Sequence, residues 1–311
     1  MAKKVIKEKE KAEFDKINYI DFSEKAFLEG GDIVNKYLPI DAALRILNDQ
    51  ELWFCNPVKW DDPFEKFSFM LPWKINDKFY YNPLIDNVFC ICLANNIETD
   101  AHWKSYSGSN IAMELQLNRS ELLNALSQKT DEYDIYITKM NYLPKQEVVG
   151  KIYEYFTSGD LKKFNEQERT KFLRLLRLKR KEFEHEEEIR IILVKKKPKN
   201  NFRFEEIIQN TPEDDVMNER FRVSEPGVNI SFGGELKKLV ERVIIGPENE
   251  LHISEGLKRL FNKRFGYSIS DDIKETGIVM RSPLYAKIDK NAVLEELQNE
   301  AMNRVFKYFK Y

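Results

Sequence analysis

The order of periodicities along the chain predicts an α+β domain with helical N- and C-terminal additions. Short apolar runs of strand character dominate residues 34–142, a charged stretch with helical spacing occupies 150–183, and strands return after 189. Strands gathered on both sides of a helical segment fit α+β order better than the regular alternation of a doubly wound parallel sheet. Of 311 residues, 42% are hydrophobic and 13% aromatic, enough for one large core, and no repeat or low-complexity linker divides the chain. The expected organisation is a helical arm over 1–30, an α+β core over 31–286 and an amphipathic helix over 287–311.

In order along the chain, Phe14, Ile17, Tyr19, Ile20 and Phe22 suit an amphipathic arm closed by Gly30-Gly31. Lys36-Tyr37-Leu38 reads as a short strand. Pro39-Ile40-Asp41 then turns into a helix over 41–48, with Asp41 as its expected N-cap. Leu52–Cys55 is a second strand, broken by Asn56-Pro57, and Val58–Glu65 a loop. The unbroken apolar run Val88–Leu93 predicts a buried strand. Ile111–Leu117 alternates, with Met113 and Leu115 inward and Glu114 outward, as a half-buried strand does. Ile135–Tyr142 is another strand. Residues 150–183 place Leu161, Phe164, Phe172, Leu175, Leu176 and Phe183 on the apolar face of a long charged helix. Ile189–Val194 and Phe202–Ile208 follow as strands about a lysine-rich turn, then a strand at Val243–Ile245, a helix near 251–263 and a strand at Ile278–Met280. Val293, Leu294, Leu297, Met302, Val305 and Phe306 mark the terminal helix over 289–308.

The net charge of −2 gives no whole-molecule attraction to nucleic acid, although Lys171, Arg174, Arg177, Lys179, Arg180 and Lys181 could follow a phosphate backbone or simply form a solvated helix face. No apolar stretch follows the N-terminal Met1-Ala2-Lys3-Lys4, and no run approaches a membrane span, so a cytoplasmic chain without membrane partners is expected. Three cysteines, Cys55, Cys90 and Cys92, suit a reducing compartment. The histidines His102, His185 and His252 lack zinc-ligand spacing, and no metal is expected.

The densest candidate for chemistry is Glu186-Glu187-Glu188-Ile189-Arg190. On a strand, Glu186, Glu188 and Arg190 share one face. Two such carboxylates repel, which raises one pKa unless Arg190 or another cation offsets them. The arrangement could stabilise positive charge at an anomeric carbon or hold a divalent ion, or it could be a charge-laced strand entrance tied down by Arg190. In Asp61-Asp62-Pro63-Phe64-Glu65, Asp-Pro suits a turn and Phe64 a core plug, leaving Glu65 as the site candidate. Trp103 and Tyr106 share a helix face, able either to stack on a planar ring or to pack in the core.

Four segments in order resemble the bacterial domain-of-unknown-function family numbered 2971: Lys36-Tyr37 with Leu52-Trp53-Phe54; Asn56-Pro57 with Asp61-Asp62-Pro63-Phe64-Glu65; Phe89–Leu93 with Trp103-Lys104-Ser105-Tyr106; and His185–Ile191. Asp61 replaces the Asn usual in that family. Members of the family resemble parts found near phage-defence and toxin-like loci. More distantly, the opening segment resembles ADP-ribosyltransferase folds, which implies split or mixed antiparallel sheets flanked by helices and NAD as substrate. That likeness assigns the first-strand position to Lys36 or Tyr37, the nicotinamide-stacking position to Trp103 or Tyr106, and the catalytic carboxylate to Glu188 or Glu186, with Arg190 and Lys36 on the pyrophosphate. The usual His or Arg at the first position is absent here.

The leading expectation is thus an NAD-consuming transferase or glycohydrolase acting on a protein or nucleic-acid acceptor. A magnesium nuclease built on Asp61 or Asp62, Glu65, Glu186 and Glu188 is the second. The third is a non-catalytic binding or sensor module whose C-terminal helix engages a partner protein.

Overall fold

The computed structural model describes residues 16–70, 73–75, 78–80, 82, 84–95, 98–107, 112–158, 166–196, 225–231, 236–247, 256–257, 259–260 and 279–282. The expected strand over 202–208 and the expected terminal helix lie outside these residues. So do most of the expected helix near 251–263 and the first half of the N-terminal arm.

Strands in chain order are β1 (Ile17–Ile20), β2 (Ile33–Pro39), β3 (Glu51–Cys55), β4 (Trp73–Ile75), β5 (Lys78–Tyr80), β6 (Val88–Ala94), β7 (Ala112–Asn118), β8 (Tyr133–Lys139), β9 (Asn141–Leu143), β10 (Leu178–Arg180), β11 (Glu188–Lys195), β12 (Gly227–Ser231), β13 (Val240–Ile245) and β14 (Val279–Arg281). Helices are α1 (Glu24–Glu29), α2 (Ile40–Asp49), α3 (Pro63–Met70), α4 (Asp100–Ser107), α5 (Arg119–Ser127), α6 (Lys145–Ser158), α7 (Glu166–Leu175) and α8 (Leu236–Leu239). The fold is α+β, as the order of periodicities predicts. The main sheet is mixed, in the order β1-β8-β11-β6-β2-β7-β13-β14, with β3 and β12 branching from β6. Its outer pairs β1–β8 and β13–β14 are parallel, and the strands between them are antiparallel.

The sheet is nearly divided at β6. One edge of β6 pairs with β11 over its whole length. The other edge meets β2 only at Asn35↔Ala94 and β3 only at Cys55↔Cys90. In the gap, the Lys36 ammonium donates to the Cys92 carbonyl at 3.0 Å, occupying an acceptor that a neighbouring strand would otherwise take.

The two faces of the sheet differ. Val34, Leu38, Phe89, Ile91, Met113, Leu115, Ile137, Ile189 and Ile191 form one continuous apolar core with Phe27 of α1, Leu47 of α2 and Leu122 of α5. The opposite face carries two separate apolar clusters. Val88, Cys90, Tyr136, Ile192 and Val194 pack under Phe69 of α3, Ile152 of α6 and Phe172 of α7. Tyr37, Ala112 and Ile244 pack with Trp103 of α4. Between these clusters the same face presents Arg190, Glu188, Asn35 and Glu114, all buried.

Local chemistry explains where the sequence expectations and the elements part. Ile17–Ile20, expected in an arm, pairs with Ile135–Thr138 and so completes the sheet edge. Pro39, not Asp41, caps α2: its extended backbone starts the helix without a side-chain cap, and Asp41 lies in the first turn, where an acidic group favours the helix dipole. The loop expected over 58–65 folds at its end into α3, because Asp62 accepts from the Phe64 N–H at 2.7 Å and Pro63 starts the helix. The long helix expected over 150–183 is two helices, followed by β10 and a 3-10 segment over Lys181–Glu186. Pairing of Leu178–Arg180 with Asn141–Leu143 overrides helical spacing there.

Arg119, at the start of α5 and 1% exposed, ties the α1–β2 connection to the sheet. It donates to the carbonyls of Ile33 at 2.9 Å, Phe27 at 2.6 Å and Gly30 at 3.2 Å, and to Asn95 Oδ1 at 2.6 Å. A Cβ on Gly30 would lie 2.9 Å from the guanidinium, so glycine permits this approach. Arg119→Ala strands several buried carbonyls and should lower unfolding stability by about 3 kcal/mol in urea titration. A loss below 1 kcal/mol would show that the guanidinium is not what joins these segments.

Candidate functional site

Five charged side chains meet at the polar band. Glu188 opens β11, and Arg190 follows it on the same face. Glu186 ends the 3-10 segment, and Glu187, left-handed at φ 40°, turns the chain into the strand. Glu186 is therefore not on the strand, as the i, i+2 spacing predicts, yet it converges on the same point. Lys179 reaches in from β10 and Glu65 from α3. The Lys179 ammonium lies 2.6 Å from Glu186, 2.8 Å from Glu188 and 3.3 Å from Glu65. Arg190 bonds Glu188 at 2.7 Å and 2.8 Å, Glu65 at 2.6 Å and the Leu176 carbonyl at 2.5 Å. Its guanidinium lies over the Trp60 ring, 4.2 Å from the centroid.

Burial favours the neutral form of Glu188, but Arg190 and Lys179 outweigh it and hold the carboxyl at about 2. Burial also raises Glu186, opposed by Lys179 and reinforced by Glu188 and Glu65, and the net shift is upward. Burial works against the Lys179 charge, and Glu188 and Glu65 overcome it, so the ammonium is kept. Glu188 is thus a fixed anion, whereas Glu186 binds a proton more readily than an ordinary glutamate. Three carboxylates against two cations leave one negative charge in the cluster.

A small cavity of about 10 Å³, room for one water, opens beside Glu186 and Glu188 and is lined also by Asn35, Tyr37, Cys92 and His102. Tyr37 of β2 stacks flat on His102 of α4, with ring centroids 4.7 Å apart and planes 4° apart. His102 Nε2 is 3.4 Å from the Glu186 carbonyl, which can only accept, so Nε2 carries the hydrogen. Its Nδ1 accepts from the Thr99 hydroxyl at 2.8 Å, and burial lowers the ring's pKa, keeping it neutral.

Of the residues singled out from the sequence, Glu186, Glu188, Arg190 and Glu65 meet in the ion cluster, and Tyr37 lines the cavity. Lys36 is on the far face of β2, bonded to Cys92. Trp103 is 2% exposed and donates Nε1–H to Glu98 at 2.6 Å, meeting Tyr37 edge-on. Tyr106 lies on α4, and its side chain is outside the described residues. The basic run does not form a continuous track. Lys171 pairs with Glu168, Arg174 and Arg177 with Asp21, and Arg180 with Asp62, while Lys179 is buried. Phe64 is half-buried and supports cations, with Arg180 over its ring at 4.7 Å and Lys145 at 5.0 Å.

The sequence did not mark Lys179, His102, Asn35 or Glu114 as site residues: Lys179 read as part of a basic run, His102 as lacking zinc-ligand spacing and Glu114 as facing outward. Glu114, expected to face outward, is fully buried because β7 is flanked by β2 and β13 and α4 covers its face. Among the described residues, no group of three or more His, Cys, Asp and Glu side chains is arranged to hold a metal ion, and the three cluster carboxylates converge on an ammonium instead. No helix there is long and apolar enough to cross a membrane.

No family model, curated protein or solved structure matches this chain.

Glu114 gives the stability of the fold a pH dependence. Burial raises its carboxyl to about 7, against hydrogen bonds from Gln116 and Tyr37, with Glu98 adding to the rise. A carboxyl raised in the folded state leaves stability intact below about pH 4.5 and erodes it as pH climbs through 7. Glu114→Gln should therefore gain about 2–3 kcal/mol relative to wild type between pH 5 and pH 8 in urea unfolding. Parallel curves for the two proteins across that range would show that Glu114 does not titrate there.

Proposed function

We propose that this chain is an NAD-consuming, ADP-ribosyltransferase-like enzyme that acts at the nicotinamide–ribose bond. The observation that carries the reading is the joining, at the near-division of the sheet, of a flat Tyr37–His102 stack with Glu186 and Glu188 on one cavity. An aromatic platform beside a net-negative carboxylate pair suits a substrate that has a planar leaving group and an anomeric carbon developing positive charge.

In this reading nicotinamide lies against the Tyr37–His102 stack and the attached ribose faces the carboxylates. The bond from C1′ to the nicotinamide nitrogen breaks, and the electron pair leaves with neutral nicotinamide. Glu188, always ionised, stabilises the positive charge on the ribose. A water or an acceptor hydroxyl then bonds to C1′ and gives its proton to Glu186, which burial makes a stronger base than an ordinary glutamate. Arg190 and Lys179 hold the carboxylates in place rather than touching substrate. The cavity admits one water-sized group, so in this reading substrate binding requires its walls to open while Glu186 and Glu188 stay in place.

The resemblance to the family numbered 2971 supports a setting in phage defence or toxin action. The acceptor would be a protein or a nucleic acid, and a partner protein could engage the C-terminal helix.

Purified protein incubated with NAD, alone and with protein and RNA acceptors, should release free nicotinamide. Glu188→Gln and Glu186→Gln should each lower the rate by about a hundredfold or more. No nicotinamide under any of these conditions, from protein shown to be folded by circular dichroism, would overturn the proposal.

A further inference from the structure

A second concavity borders the β9–β10 ribbon through Asn141 and Leu178. An open groove of about 380 Å³ runs between α6, α7 and the chain that follows β1. Four cations (Lys151, Lys171, Arg174 and Arg177) and two carboxylates (Asp21 and Glu154) line it. Leu175 and Leu178 supply apolar wall. That volume is in the range that holds a small ligand, and the balance of charge favours an anionic one.

The Asp21 carboxylate shows how an anion would be held. Arg177 bonds one of its oxygens directly, and Arg174 reaches the other at 3.5 Å. Asp21 is left-handed, with φ 48°, a conformation uncommon outside glycine and tolerated best by Asp and Asn. Arg177 is further fixed by its Nε–H, which donates to the Lys139 carbonyl at 3.2 Å. Arg174 and Lys171 are half-exposed, Arg174 paired with Asp21 and Lys171 with Glu168 at 2.7 Å. Two guanidinium groups converging on one carboxylate oxygen pair make the geometry that also binds phosphate oxygens.

We propose that this groove binds a phosphorylated small molecule of mononucleotide size, whose phosphate takes the place of the Asp21 carboxylate between Arg174 and Arg177. Lys151 and Lys171 then face the remaining phosphate oxygens, and Leu175 and Leu178 contact the less polar part of the ligand. The site is independent of the proposed NAD chemistry, because no residue lining the groove lines the cavity beside Glu186.

The test is calorimetric titration of the full chain with AMP and with inorganic pyrophosphate. Both should bind, and Arg174→Glu should weaken binding about tenfold or more through charge reversal. Asp21→Asn should tighten binding about fivefold, because it removes the competing charge while keeping a side chain suited to the left-handed backbone. Lys171→Glu is the second weakening variant, should Arg174→Glu fail to fold. Glu186→Gln should leave both titrations unchanged, which separates this groove from the proposed NAD site. The proposal is overturned if neither probe binds wild type or Asp21→Asn at millimolar concentration. It is overturned equally if Glu186→Gln abolishes binding while the groove variants do not. Single-stranded RNA binding a hundredfold tighter than AMP would also overturn it, in favour of a nucleic-acid track.

Discussion

The interaction on which the architecture turns is the buried contact of Lys179 and Arg190 with Glu65, Glu186 and Glu188. These side chains come from α3, β10, the 3-10 segment and β11, so one cluster joins four elements, three of which also share an apolar cluster. Burying five charges costs several kcal/mol for each ion, and close, multiply bonded geometry offsets that cost. Its contribution is therefore more to specificity of arrangement than to net stability. Any one of the five, removed alone, leaves its partners charged and desolvated.

The cluster also shapes the face on which it lies. The sheet buries one face continuously, whereas the other is apolar at both ends and polar in the middle. That polar band coincides with the place where β6 passes from β2 to β3 and its edge is nearly unpaired. Backbone groups left by the divergence need partners, and Lys36 supplies one at the Cys92 carbonyl. A gap in backbone pairing, polar side chains and a stacked Tyr–His pair thus meet at one locus.

Much of this was legible in the sequence, and the exceptions have physical causes. Val88–Leu93 and Ile189–Val194 read as strands because they are buried on both faces, and their unbroken apolar runs say so. Glu186, Glu188 and Arg190 were visible as a local pattern, and Glu65 through its motif. Their meeting was not visible, since Arg190 and Glu65 are 125 residues apart, and His102 and Glu186 are 84 apart. Lys179 was hidden by its neighbours: between Arg177 and Arg180 it reads as one more solvated cation, and only the pairing of β10 with β9 turns it inward. Glu114 misled for a related reason. Alternation on β7 marks one face as core, but it does not tell whether α4 covers the other.

The Lys179 ammonium is the centre that keeps three buried carboxylates together. Urea unfolding of Lys179→Met, beside the double variant Lys179→Met/Glu186→Gln, tests this most directly. The single substitution should cost about 3–5 kcal/mol at pH 7, and neutralising Glu186 should restore at least about 1 kcal/mol of it. If Lys179→Met is as stable as wild type, or if the two substitutions simply add, the five charges do not act as one unit and the account fails.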